Sequence, residues 1–132
     1  MIDNYDSFTY KPAQLVYRET LTTPIIIPNV ELDSAEISQF PIDGIIVSAG
    51  PGRPENPSDV GIAHQVIVQA DKPVLGICLG MQAIAHYHGG AIQFAPEQMH
   101  GRCSSINHDA SGLFSGIPQH FTAMRYHSLM VD

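Results

Sequence analysis

Cys78 sits in Gly76-Ile77-Cys78-Leu79-Gly80, a Gly-x-Cys-x-Gly sequence that follows an apolar run and opens a helical pattern. A nucleophile on a sharp strand-to-helix turn has its side chain pushed clear of the backbone, and glycines on either side relieve the crowding. The N-terminus of the following helix adds partial positive charge, which favours thiolate over thiol. The chemistry this suits is nucleophilic attack on a carbonyl carbon. An isolated cysteine is more often an inert buried side chain. The strand, the glycines and the helix start distinguish Cys78 from that case, whereas Cys103 lacks such surroundings and reads as structural. A second segment, Ser48-Ala49-Gly50-Pro51-Gly52-Arg53-Pro54, also follows a predicted strand. Its backbone N–H groups can approach a ligand closely and stabilise the oxyanion formed when a thiolate attacks an amide. A plain surface turn is the competing reading, since Gly and Pro are common in turns. Both segments fall at the carboxyl ends of strands, the edge where open parallel sheets build their sites.

The elements that must hold these residues follow from the apolar pattern. Ile25–Ile27, Gly44–Val47 and Pro73–Ile77 are short runs rich in β-branched residues, continuous rather than alternating, which suits parallel strands covered on both faces. Met1-Ile2-Asp3 reads as the tail of a further strand. Helical spacing of Val60, Ala63, Val66, Ile67 and Ala70 predicts one helix with Ser58 as its N-cap. A second helix spans residues 79–88 and stops at Gly89-Gly90. A third spans residues 9–20, with Thr9 as its cap, so that Pro12 falls in the first turn where its missing N–H does little harm. Beyond Ala91, residues 91–94, 102–106 and 121–123 read as shorter strands between Gly, Asn and Asp turns. Alternating strands and helices imply an α/β fold: an open, mostly parallel sheet with helices on both faces, incomplete at the C-terminus.

Composition narrows the function. The 132 residues suit one domain over 1–132, and 44% hydrophobic with 14% charged residues is ordinary for a globular chain. A net charge of −7 with only 6 Lys or Arg argues against nucleic acid and against an anionic membrane surface. No apolar run approaches the ~20 residues that span a bilayer, and the start has no signal-peptide pattern. Two unpaired cysteines fit a reducing, cytoplasmic setting.

Five blocks occur in order: Asp3-Asn4-Tyr5-Asp6-Ser7-Phe8-Thr9-Tyr10; the Gly50–Pro54 loop; Gly76-Ile77-Cys78-Leu79-Gly80-Met81-Gln82; Met99-His100-Gly101-Arg102; and Arg125-Tyr126-His127-Ser128-Leu129. Together they resemble the class I glutamine amidotransferase component of anthranilate synthase and of aminodeoxychorismate (para-aminobenzoate) synthase, with Gly50–Pro57 slightly closer to the aminodeoxychorismate branch. The resemblance implies a flavodoxin-like sheet and release of ammonia from glutamine. It makes Cys78 the nucleophile that forms a γ-glutamyl thioester, with Gly52 and Leu79 as oxyanion donors. It gives Gly50, Pro51, Gly52, Gln82, Ser128 and Leu129 the task of holding glutamine. It places Asp3–Tyr10 near the contact with a chorismate-aminating synthase, either a separate subunit or a fused domain. It implies no cofactor.

The sequence departs from that pattern in one respect that bears on catalysis. The family completes its triad with a His-Pro-Glu motif downstream of Tyr-His-Ser-Leu, and residues 1–132 contain none. None of the seven histidines, His64, His86, His88, His100, His108, His120 and His127, matches the family's base by motif, and each reads as structural or solvent-exposed. His86-x-His88 has no third ligand placed to help it, so no metal is expected. Lys11-Pro12 stands in place of a more usual Asn-Leu and Ala49 in place of a common proline. The alternative to an active glutaminase is therefore an inert amidotransferase-like module that docks on a synthase. A flavodoxin-like nucleotide binder is disfavoured, because the first loop has neither Gly-x-Gly-x-x-Gly nor a P-loop pattern.

Overall fold

A computed structural model describes all of residues 1–132. Four short strands, β1 (Ile2–Asp3), β2 (Ile27–Pro28), β3 (Ile45–Val47) and β4 (Val74–Gly76), form a parallel sheet in the order β2-β1-β3-β4. This is the α/β architecture expected from the apolar runs. The register sets Ile2 against Ile27 on one side and Val47 on the other, and Ile46 against Leu75. Five helices accompany the strands: α1 (Tyr10–Thr20), α2 (Ser34–Ser38), α3 (Pro57–Val60), α4 (Ala63–Gln69) and α5 (Leu79–Tyr87).

The step from β1 to β2 runs one way across the sheet and the step from β3 to β4 the other. Right-handed crossovers then put α1 on one face and α4 on the opposite face. The packing agrees. Val66 and Ile67 of α4 and Leu79 and Ala83 of α5 share one buried cluster with Ile45 and Val47, while the buried Ala13 of α1 lies outside it. Each large apolar side chain so buried stabilises the fold by about 1.5–3 kcal/mol. The winding reverses between β1 and β3, the place where open α/β sheets leave a crevice. On the edge strand β4, Leu75 remains 42% exposed.

Several boundaries differ from the sequence reading, each for a local reason. Thr9 does stand at the N-cap of α1, with Pro12 in the first turn, but its hydroxyl donates to Asp3 Oδ1 at 2.7 Å instead of capping the helix. The single helix expected after Ser58 is two, and its cap is Asn56, whose side chain accepts the Ser58 N–H. Gly61 breaks it with φ +49° and ψ −129°, and only glycine fits there, since a Cβ would lie 2.1 Å from the Asn29 carbonyl oxygen. Helix α2 was not expected, although Asp33 and Glu36 form a reciprocal capping box. Helix α5 ends as expected: Gly89 N–H donates to His86 O and Gly90 N–H to Ala85 O, a Schellman turn with Gly89 at φ +91°.

The chain divides into two compact units, Met1–Ile92 with Val131–Asp132, and Gln93–Met130. The second is built on a two-stranded ribbon, β5 (Ile92–Ile106) and β6 (Phe121–Val131). Three short strands were expected in this region, but β5 runs unbroken through Pro96 and Gly101. His120 N–H bonds Ile106 O at one end of the ribbon and Asp132 N–H bonds Ala91 O at the other, so the β5 side is the longer between matched ends and carries extra, bulged residues, a place where Pro and positive-φ Gly are tolerated. No helix is long and apolar enough to cross a membrane.

Candidate active site

Cys78 stands between β4 and α5 with φ +50° and ψ −106°, a backbone region that residues bearing a Cβ rarely occupy. Three hydrogen bonds fix the bend: Ile77 N–H to Val47 O at 2.9 Å, Gly80 N–H to Ile77 O at 3.0 Å and Gln82 N–H to Cys78 O at 2.9 Å. Neither flanking glycine has room for a side chain. A Cβ on Gly76 would lie 2.4 Å from Met81 N, and one on Gly80 would lie 2.3 Å from Val47 O. The spacing Gly-x-Cys-x-Gly is thus a steric requirement of packing the turn against β3.

The thiol is partly buried, with the Leu79 backbone N–H on its side of the turn. Burial pushes the Cys78 pKa above its ordinary value. The Leu79 N–H pulls it back in part, and the negative charge of Asp6 adds to the rise. The Leu79 N–H at the helix start acts in the direction expected from the sequence, and burial, the larger effect, opposes it. No histidine hydrogen-bonds to the sulfur. His64 stacks on Tyr87, His88 Nδ1 bonds Ile84 O, His100 Nε2 meets Ser128 Oγ at 3.1 Å, and His127 Nε2 accepts from Arg125.

The glycine loop after β3 lies against this turn. A Cβ on Gly50 would be 3.1 Å from Leu79 Cδ2 and 2.6 Å from Asn4 O. Gly52 has φ +88°, and a Cβ there would meet Asp59 Oδ2 at 2.1 Å. The same carboxylate oxygen accepts the Arg53 N–H at 2.9 Å, while the Gly52 N–H has no acceptor within the chain. Pro51 is exposed and Pro54 fully buried.

Beneath the loop lies a buried polar network that sequence reasoning missed. Asn4 N–H donates to Ser48 Oγ and Asn4 Nδ2 to Ser48 O, both at 2.9 Å. Asn29 Nδ2 donates to Asn4 Oδ1 at 2.9 Å and to Asp59 O at 3.1 Å. Asn29 Oδ1 stays buried without a partner. These bonds tie the loops after β1, β2 and β3 together at the carboxyl edge of the sheet. The sequence offers only a weak sign of them, namely Asn or Ser directly beyond three strands.

Gln82, on the first turns of α5, is buried, yet its carboxamide has no partner within the chain and is not sealed from solvent. Cys78, Leu79, Gln82, Gly50, Pro51 and Gly52 all belong to the first unit, and Ser128 and Leu129 to the second. A cavity of about 220 Å³ opens among Ile37, Ile45, Val66, Gln69 and Lys72. It lies where β3 begins and β4 is about to begin, at the end of the sheet opposite Cys78, and the elbow locates the chemistry better than cavity size does.

A cysteine at a strand-elbow-helix turn thus lies beside a glycine loop on a parallel α/β sheet, and the comparisons give this fold a family. The profile described as glutamine amidotransferase class-I matches residues 1–132, and the chain belongs to that family. It is 42% identical over 132 residues to an aminodeoxychorismate synthase of Streptomyces pristinaespiralis, covering 99% of this chain and 18% of that one. It is 43% identical over 133 aligned positions to anthranilate synthase component II of Haloarcula marismortui, covering 99% of this chain and 63% of that one. Among solved structures, a Thermoplasma acidophilum protein assigned as a GMP synthase subunit superposes with a TM-score of 0.80 at 29% identity, over 98% of this chain and 64% of that one. The chain thus spans less than two thirds of these relatives.

Proposed function

We propose that this chain carries the glutaminase half of a chorismate-aminating synthase. The Cys78 sulfur attacks the γ-carboxamide carbon of glutamine. The carbonyl oxygen becomes an oxyanion, received by the N–H groups of Leu79 and Gly52. The tetrahedral adduct expels ammonia and leaves a γ-glutamyl thioester, which water hydrolyses to glutamate with return of the thiol. Gln82, Gly50 and Pro51 hold the substrate. The ammonia passes to a synthase that aminates chorismate, giving anthranilate or aminodeoxychorismate, and Asp3–Tyr10 faces that partner. A reducing cytoplasm suits the free thiol.

The observation that carries this reading is the strained backbone of Cys78 between two glycines that cannot bear a Cβ. Strain of this kind costs of order 1–3 kcal/mol and persists where surrounding structure imposes it, typically at reactive sites. Attack needs a proton acceptor, because burial raises the thiol pKa and disfavours the thiolate. In the family the His-Pro-Glu histidine fills that role, and residues 1–132 lack the motif. The second reading is a docking module without turnover of its own. Ammonia release from glutamine, measured with a chorismate-aminating synthase present, separates the two. Turnover at least tenfold above a Cys78→Ala control supports the glutaminase; turnover equal to the control leaves the docking module.

A further inference from the structure

We infer that Asp59 is a positioning residue that sets the oxyanion donor of the glycine loop, with the Tyr87 hydroxyl as a second anchor; this rests on the glutaminase reading. The Gly50–Pro54 loop, which meets the Cys78 turn where Gly50 lies against Leu79, carries two consecutive amides, those of Gly52 and Arg53. Asp59 Oδ2 accepts the Arg53 N–H at 2.9 Å, and so turns that amide away from a ligand. The Gly52 N–H is the donor left without an acceptor in the chain. The carboxylate also fills the space beside Gly52, since a Cβ there would lie 2.1 Å from Oδ2 and 2.3 Å from Cγ. Only glycine fits there, and Gly52 takes a φ of +88°. Asp59 and its loop glycine fit each other as contact surfaces, and a donor shifted by about 1 Å costs up to 100-fold in rate.

Asp59 is itself held. Its N–H donates to Asn56 O at 3.0 Å, and its carbonyl accepts from Asn29 Nδ2, which joins it to the buried Asn4–Ser48 pair. From the other side, Tyr87 on the last turn of α5 donates its hydroxyl to Pro54 O at 3.1 Å, with its ring stacked on His64 at a centroid distance of 4.3 Å. Burial pushes the Tyr87 pKa up, so the hydroxyl stays a donor at neutral pH. The loop is thus fixed at Arg53 by α3 and at Pro54 by the helix that Cys78 opens. Nucleophile and oxyanion donor share one frame.

The test compares two reagents on the full chain. A chloroketone analogue of glutamine places a carbonyl where the oxyanion forms, whereas a methanethiosulfonate modifies the same thiol with no carbonyl. Asp59→Ala is expected to slow chloroketone modification of Cys78 about tenfold, with the thiosulfonate rate within twofold of wild type. Asp59→Asn keeps an oxygen acceptor for Arg53 and stays within about threefold of wild type. Tyr87→Phe loses about threefold in the same selectivity, a readout that survives if Asp59→Ala folds poorly. Amide hydrogen exchange at Arg53 reads the hold directly: slow in wild type and Asp59→Asn, fast in Asp59→Ala. Wild-type selectivity in both Asp59→Ala and Tyr87→Phe, or equal slowing toward both reagents, overturns the positioning role alone. A wild-type protein that favours neither the chloroketone nor Cys78 over Cys103 overturns the glutaminase reading and this role with it.

Discussion

Replacing Gly80 by alanine tests why the nucleophile's turn has the sequence it has. Gly80 is the second residue of α5, where alanine normally gains up to about 1 kcal/mol over glycine in helix propensity. If Gly80 were there by chance, the substitution would be neutral or stabilising. The structure requires the opposite sign. A Cβ on Gly80 would lie 2.3 Å from Val47 O, 2.8 Å from Val47 C and 3.0 Å from Val47 Cβ. None of these atoms is the loose end of a flexible side chain. Val47 is fully buried, and its carbonyl already accepts the Ile77 N–H at 2.9 Å. Relief therefore means moving α5 away from β3, which disturbs both the core and the bend at Cys78. Overpacking of this kind costs about 1–3 kcal/mol, enough to outweigh the helical gain. Urea denaturation of Gly80→Ala should give a lower midpoint with an unchanged slope. Gly89→Ala, at φ +91° with nothing within 4 Å of a new Cβ, isolates the cost of backbone strain without a clash. A Gly80→Ala protein as stable as wild type, with Cys78 equally reactive, would refute the steric argument.

Two further outcomes follow from the site. The rate of Cys78 alkylation should rise with pH through a midpoint above that of an ordinary thiol, because burial disfavours the thiolate; Asp6→Asn removes a negative charge and should move that midpoint down, and an unchanged or higher midpoint would contradict the charge argument. Asn4→Ala leaves Ser48 O and Asn29 Nδ2 short of partners, so it should destabilise the chain by about 1–3 kcal/mol in chemical denaturation, and a neutral result would show the network to be inessential.

Much of this was legible in the sequence because it is set by short-range rules. The β-branched runs at 45–47 and 74–76 became parallel strands, Thr9 and Gly89 marked helix ends, and the elbow was evident from five consecutive residues. What was not legible depends on distant partners. The Asn29 carbonyl leaves room only for glycine at residue 61, where the helix breaks, and nothing near Gly61 in sequence announces that contact. The helix start at Cys78 was legible as an influence that favours the thiolate, whereas the burial that opposes it comes from packing. Asp59 read as one more acid among thirteen until its carboxylate was found filling the space beside Gly52. Helix α2 is a different case, since its Asp33-x-x-Glu36 capping box was visible and went unused.

The most direct measurement is peptide mapping after reaction with the chloroketone analogue of glutamine, for wild type and Cys78→Ser, with and without excess glutamine. The expected result is a single modified residue, Cys78, whose labelling glutamine suppresses and Cys78→Ser abolishes while Cys103 stays free. Equal labelling of wild type and Cys78→Ser, or labelling indifferent to glutamine, would contradict the assignment of Cys78 as the glutamine-directed nucleophile.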